Sequence, residues 1–127
     1  MKAIIAVNKL GYIGLNDSLP WRCSEDLKHF KKMTEGCTLL VGHNTSSKMP
    51  PLPGRTVIED ERGIIIADGI DWCIGGRKTY EKYCHLFTEL HISRIGNETE
   101  GDTLYPELAS LNPECVIFEY NFSENSK

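Results

Sequence analysis

The chain has 127 residues, 40% of them hydrophobic and 25% charged, with a formal net charge of -4. This is one domain's worth of ordinary globular polypeptide, long enough to bury roughly two-thirds of the surface its unfolded form exposes. The acidic balance excludes a protein that coats a nucleic-acid backbone, no apolar run reaches membrane-spanning length, and five scattered cysteines without a C-x-x-C pair read as the reduced thiols of a cytoplasmic protein, not as a zinc site.

Ala3-Ile-Ile-Ala-Val7 is a continuous apolar run closed by Asn8 and Gly11, the pattern of a central strand buried on both faces. From Lys9 to Arg22 the chain carries the glycines, Asn16, Asp17, Ser18 and Pro20 of a loop, yet also Tyr12, Ile13, Leu15, Leu19 and Trp21. A loop that apolar covers something. Ser24 predicts an N-cap, with Glu25 and Asp26 at the positive end of a helix that runs to Thr34 and stops at Gly36. Leu27, Phe30 and Thr34 form one stripe of that helix, with Met33 beside it. Thr38 to Gly42 reads as a second buried strand, His43 to Ser47 as a short helix, and Pro50-Pro-Leu-Pro-Gly-Arg55 as a stiff turn. Thr56 to Ile58 and Gly63 to Ile66 are short strand candidates around the acidic turn Glu59-Asp-Glu61. Trp72 to Gly76 predicts a strand ending in glycines, Arg77 to Leu86 a helix, Glu89 to Ile95 a strand, Gly96 to Gly101 a turn, and Cys115 to Phe122 a final strand. Strands alternating with helices through short connections predict a single α/β domain over residues 1–127. Its sheet is mostly parallel, twisted and flanked by helices, with a ligand site beyond the carboxyl ends of the strands.

Three features carry chemistry. Asp26 neighbours Phe30 and Met33 at helical spacing, which sets a carboxylate at the edge of an apolar face, where ionisation is costly unless a partner is supplied. Two readings stand: a first-turn aspartate serving the helix dipole, or the counter-charge of a cationic or amidine-like ligand. Gly42 and the Gly75-Gly76 pair each follow a buried-type strand and precede a helix, either as tight turns or as places where backbone approaches a phosphate. Arg55, at the end of the proline turn, is either a solvated surface residue or a fork for a ligand carboxylate.

In order along the chain, Ala6-Val-Asn-Lys-Leu-Gly-Tyr-Ile-Gly14, Leu19-Pro-Trp21 and Glu25-Asp-Leu-Lys-His-Phe-Lys-Lys-Met-Thr34 closely resemble the N-terminal third of dihydrofolate reductases. The resemblance continues through Leu40-Val-Gly-His-Asn-Thr45, Pro51-Leu-Pro-Gly-Arg55, Ile74-Gly-Gly76 with Tyr80, and Glu100-Gly-Asp-Thr103 with Tyr105-Pro106. It implies direct hydride transfer from NADPH to 7,8-dihydrofolate. Asp26 would pair with the amidine edge of the pterin and favour protonation at N5, the proton arriving through water. Leu27, Phe30, Met49 and Leu52 would flank the pterin and benzoyl groups, Arg55 would clamp the glutamate carboxylate, and the carbonyls of Ile4 and Ile74 would receive the pterin amino group. Ser93 stands where the family commonly has a threonine joined to Asp26 through the pterin. Tyr80 would sit close to the nicotinamide, whose pocket Val7, Ile13, Gly14 and Leu19 would line. The loop from Lys9 to Arg22, with Leu19 and Trp21 at the catalytic centre, would be a mobile flap tethered by Asp102. Gly42, His43, Asn44 and Thr45 would hold the pyrophosphate from one helix start, and Gly75, Gly76, Arg77, Lys78 and Thr79 from the other, with the Gly75-Gly76 peptide cis.

The sequence departs from the family at three places. His43 stands where an arginine usually reads the 2'-phosphate of NADPH, and Glu59-Asp-Glu61 stand where small hydroxyl residues are usual. Three carboxylates would repel that phosphate unless Arg62 or Arg77 compensates, which makes NADH a second candidate donor. The stretch from Arg55 to Ile74 is abridged, removing part of an adenosine-binding wall. After Pro106 a single convincing strand leaves the C-terminal hairpin short of a member, exposing a sheet edge that suits either a monomer or a weak homodimer. So compact a form suits a phage or another streamlined genome. The competing readings are a non-catalytic folate- or nucleotide-binding protein on the same fold and a related pyrimidine reductase.

Overall fold

The computed structural model describes residues 1–16 and 19–123. Residues 17 and 18 of the expected flap lie outside it. Its frame is a six-stranded sheet in the order β4-β3-β5-β1-β6-β8, every pair parallel. The strands are β1 (Lys2–Asn8), β3 (Thr38–Val41), β4 (Thr56–Glu59), β5 (Trp72–Cys73), β6 (Glu89–Gly96) and β8 (Val116–Ser123). A separate antiparallel ribbon joins β2 (Tyr12–Gly14) to β7 (Thr103–Leu104). The α-helices are α1 (Ser24–Thr34), α2 (His43–Lys48) and α3 (Arg77–Tyr83), the last followed by a 3-10 turn at Cys84–Leu86.

The apolar run at the amino end is central, as expected, because both of its faces are covered. Side chains alternate along a strand, so Ala3, Ile5 and Val7 enter a core with Leu40, Tyr80, Tyr83, Phe87, Leu90 and Ile92. Ile4 faces the other way, toward Leu39, Trp72 and the partly buried Phe30 and Met33 of α1. The same alternation on β6 sends Leu90 and Ile92 to the α3 side, while His91 packs against Trp72 on the α1 side. Ser93, two residues on, shares that side with Asp26.

Three local expectations change. The N-cap of α1 is Cys23, in extended conformation and without a side-chain cap bond, and Ser24 is the first helical residue. Leu27, 49% exposed, lines the cavity with Phe30, which also packs against Ile4, Leu39 and Trp72. Gly63 to Ile66 forms no strand. Beyond β4 the Asp60 carboxylate turns inward to accept from the Tyr83 hydroxyl (2.7 Å) and Lys82 Nζ (3.0 Å), which pulls the chain off the sheet edge, and the Tyr83 hydroxyl in turn accepts from the Ile66 amide. β5 contributes only two residues, because beyond Ile74 the chain enters Gly75 at a φ of +112°.

At the other edge, β8 pairs directly with β6 over eight positions, Glu89 opposite Val116 through to Gly96 opposite Ser123. Most of β8 is exposed, including Val116, Ile117 and Phe118. Among the described residues no further strand covers it.

Candidate active site

A cavity of about 640 Å³ lies between the sheet and α1. The sheet supplies Ile4, Ile5 and Ala6 from β1, Ile74 and Ser93; α1 supplies Asp26, Leu27 and Phe30; Met49, Pro50 and Leu52 close one end; and Ile13, Gly14, Leu19, Trp21 and Arg22 close another. The wall is mostly apolar, and Asp26 is the one carboxyl that lines it among the described residues.

Asp26 is only 6% exposed. Burial pushes its carboxyl above the usual carboxylate range, while the Ser93 hydroxyl and the imidazole of His29 offset part of the rise. Ser93 and Trp21 both line this space, and Ser93 Oγ and Trp21 Nε1 are solvent-inaccessible with no hydrogen-bond partner at ordinary distance among the described residues. Buried polar atoms left so next to a cavity carry a desolvation cost that a partner admitted by a small side-chain shift would relieve. The Tyr80 hydroxyl donates to the Ile4 carbonyl at 2.6 Å, and burial drives its pKa well above 10, so it stays protonated. That bond occupies one of the two lone pairs of the Ile4 oxygen and leaves the other.

The second part of the site is built by two helix starts facing each other. Gly42 is the N-cap of α2 and Gly76 that of α3, and neither helix has a side-chain cap bond. The Gly42 amide donates to the Gly75 carbonyl at 2.7 Å, and the Gly75-Gly76 peptide is cis. A Cβ on Gly42 would lie 2.5 Å from Thr79 Oγ1, and one on Gly76 would lie 2.8 Å from Thr45 Oγ1. Only glycine lets the two starts approach this closely, leaving first-turn amides uncapped for a negatively charged group. Thr45, Gly76 and Arg77 reach the cavity itself. These orphaned polar atoms and this cradle fit a dinucleotide spine laid beside a flat polar ring.

Other expected residues stand apart from the cavity wall. Val7 is in the core behind it. His43, Asn44, Lys78 and Arg62 are exposed and Thr79 is buried behind the cradle. Arg55 is held by its own turn, Nε donating to the Pro53 carbonyl and Nη1 to Thr34 Oγ1, both at 3.2 Å. The acidic turn is less repulsive than its sequence implies. Glu59 accepts from His43 Nδ1 at 2.9 Å, a bond that holds its carboxyl below the usual range, and Asp60 is engaged by Lys82 and Tyr83. Asp102 meets the loop as expected, Oδ2 accepting from the Asn16 amide and its own amide donating to the Gly14 carbonyl, each at 2.9 Å.

Arg22 and Lys48 line the cavity without any sequence signal that selects them, and Thr103 lies in a quoted family motif that assigns it no role. Thr103 arrives through the β2–β7 ribbon, whose strands of three and two residues are too short to leave a periodic pattern.

Comparison with known proteins agrees with this geometry. The family model for dihydrofolate reductase matches residues 1–65, about half of the chain. The type 5 dihydrofolate reductase of Escherichia coli is 30% identical to this chain, the match covering 92% of this chain and 87% of that enzyme. This chain belongs to the dihydrofolate reductase family. The dihydrofolate reductases of Bacillus subtilis and Haemophilus influenzae are 29% and 27% identical, covering 91% and 92% of this chain and 81% and 85% of their own lengths. A solved structure of the Enterococcus faecalis dihydrofolate reductase, complexed with NADP(H) and RAB-propyl, superposes with a TM-score of 0.73 at 30% identity. It covers 85% of this chain and 77% of that one. The family's parallel sheet flanked by helices is thus present in this chain. Among the described residues no helix is long and apolar enough to cross a membrane.

Proposed function

We infer that this chain reduces 7,8-dihydrofolate to tetrahydrofolate with NADPH as the hydride donor. The observation that carries the inference is the buried Asp26 carboxyl, the one carboxyl among the described residues that line the mostly apolar cavity between sheet and α1. When bound, the reduced nicotinamide supplies a hydride to C6 of the pterin, and N5 takes a proton from water. Asp26, ionised, pairs with the amidine edge of the pterin and raises the basicity of N5. Phe30, Leu27, Met49 and Leu52 hold the ring system in an apolar slot, and the 9–22 loop excludes bulk water from it. Ser93 Oγ and Trp21 Nε1 gain partners on binding. Gly42, Thr45, Gly76 and Arg77 hold the cofactor's pyrophosphate, and Arg55 the glutamate tail. The reading extends to a cytoplasmic protein whose partners are dihydrofolate and NADPH. The decisive assay follows loss of nicotinamide absorbance in the purified chain with dihydrofolate plus NADPH or NADH; no turnover with either donor overturns the reading.

Glu59 sits where the 2'-phosphate of the cofactor is expected, so Glu59→Gln should raise the preference for NADPH over NADH by roughly two- to fivefold, the scale of one exposed charge. Unchanged kcat/KM ratios for the two donors would place that phosphate elsewhere.

The oligomeric state we read as a monomer in equilibrium with a weak homodimer formed through β8. Antiparallel pairing of two copies centred on Tyr120 sets Phe118 opposite Phe122 of the second copy and Glu119 opposite Asn121, so like charges do not meet. Light scattering should show mass rising with concentration, and a strictly monomeric mass at high micromolar concentration would dispose of the dimer.

A further inference from the structure

Asp60 is the residue just past β4, and its side chain is only 14% exposed. Oδ1 accepts from the Tyr83 hydroxyl at 2.7 Å and from Lys82 Nζ at 3.0 Å, and Oδ2 accepts from the same Nζ at 3.1 Å. Lys82 Nζ also donates to the Glu61 carbonyl at 2.9 Å and stands 5.2 Å from the centre of the Tyr83 ring, while the Ile66 amide donates to the Tyr83 hydroxyl at 2.9 Å. The simplest account is a fastening for the turn over residues 60–66. Lys82 and Tyr83 already hold that turn by its backbone, however, so fastening by itself gives no reason to desolvate a carboxylate.

What Asp60 adds is a link between the two halves of the cradle. On one side β3 and β4 run in register as far as Val41 opposite Glu59, and the Asp60 amide donates to the Val41 carbonyl at 2.8 Å, one residue before Gly42. On the other side Lys82 and Tyr83 end α3, a helix of seven residues whose N-cap is Gly76. So short a helix, about 10 Å long, moves as one rod. Tyr80 ties it to β1 through the Ile4 carbonyl at 2.6 Å, and Asp60 ties it to the end of β4, two strands further across the sheet beyond β5 and β3. Ties in two directions fix its tilt, and the tilt sets Gly76 and Thr79 against Gly42. There the approach leaves no slack, since the Gly42 amide reaches the Gly75 carbonyl at 2.7 Å and a Cβ on Gly42 would stand 2.5 Å from Thr79 Oγ1.

We propose that Asp60 is a positioning residue for the cofactor's pyrophosphate: by tying the end of β4 to the last turn of α3 through Lys82 and Tyr83, it sets the gap between the helix starts at Gly42 and Gly76. Resting on the reading of that gap as the pyrophosphate's cradle, this adds a residue that does not touch the ligand. Glu59, the neighbouring carboxylate, reaches the first residue of α2 through His43 at 2.9 Å, so adjacent residues of one strand end hold both helices. The Lys82 ammonium neutralises the Asp60 charge, which keeps the brace compatible with a polyanion beside it. Among the described residues no strand pairs with the outer edge of β4, so its end is steadied from α2 and α3 instead.

Two variants of the full chain separate position from charge. Asp60→Asn keeps the shape and removes a negative charge near a polyanion site, so reduced repulsion alone would tighten NADPH binding, whereas loss of the brace weakens it. Tyr83→Phe removes one bond of the brace and leaves the charge in place. Both should raise the NADPH dissociation constant and KM by roughly threefold or more, the scale of one lost hydrogen bond, with kcat and KM for dihydrofolate held within about twofold. In the ligand-free chain the amide resonances of Gly42 and Gly76 should move in both. A lower melting temperature with NADPH affinity and those resonances unmoved would leave Asp60 as a fastening of the turn, and tighter NADPH binding in Asp60→Asn would leave it as a charge; either result overturns the proposal. Should Asp60→Asn fail to fold, Tyr83→Phe, which keeps the ring in the core, decides alone. A native chain that binds no NADPH refutes the reductase reading and leaves the amide resonances to decide the brace. Turnover in the native chain with NADPH affinity unmoved in the variants refutes the brace and leaves that reading standing.

Discussion

Asp26→Asn is expected to lower turnover of dihydrofolate with NADPH at neutral pH by roughly 10²-fold or more, while raising the thermal stability of the fold. The amide keeps the shape of the side chain and loses the charge that raises the basicity of N5. As the pH falls, more of the substrate carries its N5 proton before binding, so the deficit should shrink. Stability moves the opposite way because burial raises the Asp26 pKa. Between the ordinary carboxylate value and the raised one, the folded chain binds more protons than the unfolded chain, so stability falls as pH rises. The stabilising contribution of the protonated group is complete below the ordinary value and is lost as pH climbs through the folded one. Asparagine does not ionise and escapes that loss. The melting temperature of the variant should therefore exceed the native one at neutral pH, by roughly 3–5 °C for each 1 kcal/mol recovered, with the gap closing toward about pH 4. Equal turnover in both proteins at neutral pH would sink the assigned role, and a variant less stable at every pH would show that the carboxylate is paid for by partners within the fold.

Gly42→Ala is expected to raise the dissociation constant for NADPH by roughly tenfold or more and to cost about 1–3 kcal/mol of stability. The residue's φ of -73° suits any amino acid, so backbone strain contributes nothing. The loss is steric: the new methyl would stand 2.5 Å from Thr79 Oγ1, with the Gly75 carbonyl at an ordinary 3.5 Å, so the buried Thr79 side chain in the first turn of α3 has to shift and disturb the cradle. Gly36→Ala is the control. Gly36 has a φ of +74° and open space around it, so alanine there should destabilise by about 1–2 kcal/mol through backbone strain alone and leave NADPH affinity as it was. Nucleotide fluorescence titration and urea unfolding of the two variants separate the effects. Equal loss of affinity in both would mean that Gly42 acts through general destabilisation.

Much of this architecture is legible because its signals are local. The run from Ala3 to Val7 has to be buried on both faces, and the glycines after β3 and β5 announce a close approach of backbone. Asp26 stands out because a carboxylate among Leu27, Phe30 and Met33 contradicts its surroundings. Where local reasoning misplaces residues, a long-range contact has intervened. Gly63 to Ile66 has a strand's composition, yet Tyr83 and Lys82, some twenty positions away, draw Asp60 inward and turn the chain from the sheet. The acidic turn has the composition of a repulsive patch, yet His43 and Lys82 engage two of its carboxylates.

The sequence by itself determined the α/β pattern, the order of the family motifs and the one carboxylate whose burial demands a partner, since each depends on neighbours within a turn or a strand. Only the tertiary structure decided that Ser93 Oγ and Trp21 Nε1 are buried beside the cavity without a hydrogen-bond partner among the described residues, that Gly42 and Gly76 face each other across Thr79 and Thr45, and that β8 pairs straight onto β6. These facts depend on residues tens of positions apart meeting in space, and such meetings are set by the packing of the whole sheet.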